Sequence, residues 1–136
     1  MNIATIRTIF QFWPLAIGWY GTRLLRKDQS GQRFAGFACG PIVVIDPKHR
    51  GDEGLLQHEL HHVARFWQRL FTLRWYRSWP ARYREEIEAY AIQLKYSPGA
   101  ELRFARFVSS RYGFPVTYSR VLRDLHAQGE DGYGIR

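Results

Sequence analysis

The chain is poor in the residues that build covalent or repetitive architecture. One cysteine, Cys39, stands among 136 residues, which excludes an intrachain disulfide framework and a cysteine-based zinc ribbon. Set between Ala38 and Gly40, this thiol is expected to be a small buried side chain. Its isolation points to a reducing, cytoplasmic setting. There is no internal repeat, low-complexity tract or long linker, so fibrous and disordered classes are excluded. No apolar run reaches the roughly 20 residues that a membrane-spanning helix needs. The strongest, residues 8–20 (TIFQFWPLAIGWY), is interrupted by Gln11 and Pro14 and cut off by Arg23. It also lacks the small-residue cleavage site of a signal peptide. It reads as a core-packing segment, with an interfacial anchor as the alternative.

Acidic charge is also in deficit. Twelve Asp and Glu face 20 Lys and Arg, for a net charge of +8. Such a surface attracts nucleic acid, anionic lipid or acidic protein, but the positive charge, nearly all Arg, is scattered rather than clustered and no nucleic-acid-binding motif accompanies it. The simpler reading is a solvated basic surface. What the chain has in quantity is apolar and aromatic mass, 46% and 16%, enough for one core and one domain over residues 1–136.

The pattern predicts an α+β domain, mainly helical, with a small antiparallel sheet ahead of a central helix. Residues 2–13 could form a first helix stopped near Pro14, and 15–26 are ambiguous between helix and strand. Residues 27–32 (KDQSGQ) are turn chemistry. Two strand candidates, 33–39 and 41–46, flank Gly40. After the loop 46–52, Asp52 is a suitable N-cap for a helix running to about Phe71. Further helices are predicted over 79–96, 98–111 and 118–127, with a flexible tail at 128–136.

The chemistry concentrates at residues 58–62, His-Glu-Leu-His-His. Residues four apart on a helix sit one turn above each other, so His58 and His62 can each aim a ring nitrogen at one ion. Glu59 lies beside that ion rather than on it, where it can take a proton from an attacking water. His61 falls about 100° round the helix from His62 and suits a surface or supporting role. A catalytic zinc takes three protein ligands, so a third must come from elsewhere. The next helix offers Glu85, Glu86 and Glu88. Glu86 shares a face with Tyr83 and Tyr90, and a carboxylate turned inward there needs a cation or a metal.

QHELHHVARFW followed by REEIEAYA resembles the gluzincin metallopeptidases over about residues 33–95. In that clan one helix carries two histidines and a catalytic glutamate, and a later helix supplies a ligand glutamate, often within Glu-x-x-x-Asp. Laid on this chain, the resemblance implies Glu86 as third ligand of a single zinc ion, with Tyr90 where the clan usually places an aspartate that orients a histidine. It implies zinc-dependent hydrolysis of peptide bonds in a peptide or protein substrate, with Glu59 as general base. It further implies that the strand at 41–46 pairs with extended substrate. A Tyr or His often assists the oxyanion, and Tyr90, Tyr112, Tyr118 and His126 are the candidates. The competing readings are a zinc-stabilised domain without catalysis, in which His61 or His49 would complete four ligands, a basic nucleic-acid-associated protease, and an inactive relative kept as a scaffold.

Overall fold

The computed structural model describes residues 8–11, 15–72 and 78–132. Its elements are β1 (Thr8–Gln11), β2 (Ala16–Tyr20), β3 (Gly36–Cys39), β4 (Ile42–Ile45), a 3-10 turn at Pro47–His49, then α1 (Glu53–Thr72), α2 (Trp79–Leu94), α3 (Glu101–Arg111) and α4 (Tyr118–Gly132). The class is α+β and mainly helical. The strands form one sheet in the order β1-β2-β4-β3.

The sheet is mixed, not antiparallel. β3 and β4 form the hairpin that flanking strands around Gly40 predict, with Ala38 opposite Val43. Gly40 supplies the turn, at φ +58, a conformation most side chains avoid. β2, however, joins β4 in parallel, with Gly18 opposite Val43. β4 is therefore an interior strand, and β3 is an edge.

Three further expectations are corrected. Within the proposed helix over 2–13, the described residues Thr8–Gln11 are a strand paired antiparallel with β2, because a partner strand outweighs a weak local helix preference; residues 1–7 and 12–14 lie outside the described residues. Cys39 is exposed, since the pleat turns it to the sheet face opposite Ala38. Finally, α4 continues through residues 128–132, which were expected to be flexible, while 133–136 lie outside the described residues.

Two apolar clusters hold the elements. Ala16, Val43 and Ile45 of the sheet meet Leu55, Leu60 and Val63 of α1. Tyr83, Ile87 and Tyr90 of α2 meet Phe104, Ala105 and Val108 of α3 and Val121 and Leu125 of α4. Large side chains buried as completely as Phe104 and Leu125 contribute about 1.5–3 kcal/mol each. α1 belongs to the first cluster and α2 to the second, and the two helices pack on each other. The polar residues of the central motif lie along that seam. Among the described residues, no helix is long and apolar enough to cross a membrane.

Candidate metal centre

α1 begins where Asp52 caps it, its Oδ1 accepting the Leu55 N–H at 3.0 Å. The helix then divides its circumference. Leu60 and Val63 face the sheet, while His58 and His62, one turn apart, face α2. His58 and Glu59 are only 4% and 5% exposed, a burial that polar side chains adopt only with compensation.

For His58 the compensation comes from α2. Glu86 sets Oε2 3.4 Å from His58 Nε2 and Oε1 3.2 Å from His62 Nε2. Ligand atoms about 2.0–2.1 Å from one tetrahedral zinc stand about 3.3–3.4 Å from each other, so these spacings are compatible with a shared ion. One ligand atom from each of His58, His62 and Glu86 lies within 4.8 Å of the others. Glu86 Oε2 is buried and makes no hydrogen bond to any described residue. A carboxylate oxygen left this way fits a metal ligand. The donor set, two imidazoles and a carboxylate, suits zinc.

The electrostatics follow from the same cluster. Burial pushes Glu86 upward, but His62 and His58 overcome it and hold the carboxyl well below its usual range. Burial works against a charged His62, yet Glu86 and Glu85 outweigh it and raise that imidazole well above 6.5. Glu59 responds differently: burial dominates and raises its pKa, against the pull of His58 and His62.

All three carboxylates of α2 meet side chains of α1. Glu85 Oε2 lies 2.8 Å from His62 Nδ1, so it accepts from that ring's N–H and leaves Nε2 turned to Glu86. Arg69 holds the other Glu85 oxygen. Glu88 pairs with Arg65 and lies 3.5 Å from His61 Nε2, which places His61 outside the metal group. Glu85 thus orients a histidine, the task the resemblance gave to position 90. Tyr90 instead packs its ring edgewise on His58, centroids 4.4 Å apart, and its hydroxyl shares a 2.8 Å hydrogen bond with the Tyr112 hydroxyl.

The group opens on a cleft of about 650 Å³ whose walls include His58, Glu59, His62, Glu86 and Tyr112. β3 forms one wall. A Cβ on Gly36 would stand 2.6 Å from Glu59 Oε1, so only glycine leaves the carboxylate its place. The loop at 27–32 forms the rim: Asp28 Oδ1 accepts from the Ser30 and Gln32 N–H groups at 2.8 and 2.9 Å. Its Oδ2 accepts from Arg111 at 2.6 Å, which ties the rim to α3. Of the candidate oxyanion donors, Tyr90 and Tyr112 are brought to the site. Tyr118 and His126 sit exposed on α4 and line no part of the cleft.

Sequence reasoning missed Gly36, Arg69, Arg82, Arg111 and Asp28. Arg69 alone carried a signal, seven residues after His62 and so on the same face of α1. Compared with family models, curated proteins and solved structures, the chain matches none.

Proposed function

We propose that the chain is a zinc-dependent peptidase of zincin-like fold, a minimal single-domain relative of the gluzincins acting in the cytoplasm on peptide or protein substrates. The observation that carries this reading is the convergence of His58, His62 and Glu86 from two helices, with Glu59 beside them on the wall of an open cleft. Three protein ligands leave a tetrahedral zinc one open position, the mark of catalytic rather than structural sites. A purely structural site would need a fourth ligand. Neither candidate joins the group, for His61 faces Glu88 and His49 lies 3.9 Å from Asp52.

Zinc bound here supplies a Lewis acid for the scissile carbonyl and lowers the pKa of water. The remaining work falls to the chain. Glu59 accepts the proton of the attacking water and returns it to the leaving amine. Burial raises the Glu59 pKa in the metal-free chain, and a group that both takes and gives a proton works best with its pKa near the operating pH. Glu85, braced by Arg69, keeps His62 in one tautomer and orientation. Tyr112, steadied by Tyr90, offers a hydroxyl to the oxygen on which negative charge develops. The substrate backbone pairs with β3, the edge strand bordering the cleft, rather than with the interior strand at 41–46.

The test is Glu59→Gln with metal analysis. This variant should retain one zinc per chain and lose about 10²–10⁴-fold in peptide cleavage, whereas His58→Ala should lose the zinc. Cleavage at the parental rate by zinc-loaded Glu59→Gln would refute the assignment.

A further inference from the structure

The charges around the cleft do not cancel. Five cationic side chains line it: Arg26, Lys27, Arg69, Arg82 and Arg111. Arg69 is spent on Glu85 and Arg111 on Asp28. The two remaining carboxylates of the lining, Glu59 and Glu86, belong to the metal group and its base. Arg26, Lys27 and Arg82 have no carboxylate partner among the described residues, although Arg26 lies over the Phe37 ring. Beyond the metal group, the cleft therefore presents uncompensated positive charge.

Arg82 is the best placed of the three. It precedes Glu86 by four residues on α2, so it stands one turn away on the same face. On α1, Phe66 follows His62 by four residues and also lines the cleft. A side chain of a peptide bound across the metal would meet an apolar ring on one helix and a guanidinium on the other. A planar guanidinium matches a carboxylate with paired hydrogen bonds.

We propose that the cleft selects peptides bearing an aspartate or glutamate beside the scissile bond, and that Arg82 is the residue that selects it. This rests on the peptidase reading and adds a substrate class to it. Phosphate-bearing polymers are also anionic, but the chain carries no motif for nucleic acid, and a carboxylate is the anion that a peptide substrate itself brings to a guanidinium.

Binding is measured first, so that the answer does not depend on turnover. Fluorescein-labelled acidic peptides and their Asn/Gln counterparts are titrated by anisotropy onto zinc-loaded Glu59→Gln at about 150 mM salt, where long-range attraction is screened. Acidic peptides should bind about ten- to a hundredfold tighter. Adding Arg82→Glu should abolish that preference, while Arg106→Glu, an exposed change on α3 away from the cleft, should not. Digestion of a mixed peptide pool by the parent should show acidic residues enriched at one position flanking the cut, and Arg82→Glu should erase the enrichment. Equal binding of acidic and neutral peptides, equal effects of the two charge reversals, or displacement of the peptide by an equally charged oligonucleotide would each overturn the proposal. Cleavage without acidic preference defeats this inference alone, whereas zinc binding with no cleavage of any pool defeats the peptidase reading beneath it.

Discussion

Gly36 offers a direct probe of the proposed catalytic base, because the perturbation is a single methyl group on the opposite wall. A Cβ there would stand 2.6 Å from Glu59 Oε1 and 3.0 Å from its Cγ. Carbon–oxygen contacts settle at about 3.3 Å, so the carboxylate must retreat by about 0.7 Å. Displacing a reacting group by about 1 Å can cost on the order of 10²-fold. Gly36→Ala is therefore expected to lower kcat/KM about 30- to 100-fold, or about 2–2.7 kcal/mol of transition-state stabilisation. His58, His62 and Glu86 are untouched, so zinc content should stay at one per chain. The assay pairs steady-state cleavage of a fluorogenic peptide with metal analysis on the same sample. Gly129→Ala is the control: its Cβ meets nothing within 4 Å, and in the body of α4 it should stabilise by about 0.5–1 kcal/mol. Parental turnover by zinc-loaded Gly36→Ala would show that the Glu59 carboxylate does not act from the place the structure gives it.

Two further outcomes follow from the surrounding shell. Because Glu85 orients His62, Glu85→Ala should weaken zinc affinity about 10- to 100-fold in a chelator competition, and Glu85→Gln, which can still accept from Nδ1–H, should weaken it less; unchanged affinity in both would remove Glu85 from the metal centre. Burial raises the Glu59 pKa, so the stability linked to that carboxyl is fully present below its ordinary value of 4.5 and is lost as pH rises through the folded value. Metal-free Glu59→Gln should accordingly melt above the metal-free parent at about pH 7, with the gap closing at about pH 4. A gap of the same size at both pH values would show that the carboxylate is not desolvated as the fold places it.

Residues 58–62 could be read without coordinates because their geometry is local. Four residues of helix bring His58 and His62 onto one side wherever that helix packs, and Asp52 marks its start by the same short-range logic. The helical turn likewise placed Glu86 among apolar neighbours, and the resemblance gave it the ligand position in which it meets both imidazoles. Contacts between distant segments were beyond such reading. Pairing of β2 with β4 added a parallel strand to the expected antiparallel pair and moved the edge from 41–46 to β3. Glu85 and Glu88 are glutamates like Glu86, and only the seating of α2 on α1 sends one to His62 Nδ1 and the other to Arg65. The need for glycine at position 36 exists because β3 passes against the Glu59 carboxylate. Helix periodicity is fixed by bonds within a few residues, whereas strand order and helix seating depend on how separate apolar faces close on each other, which no short stretch of chain encodes.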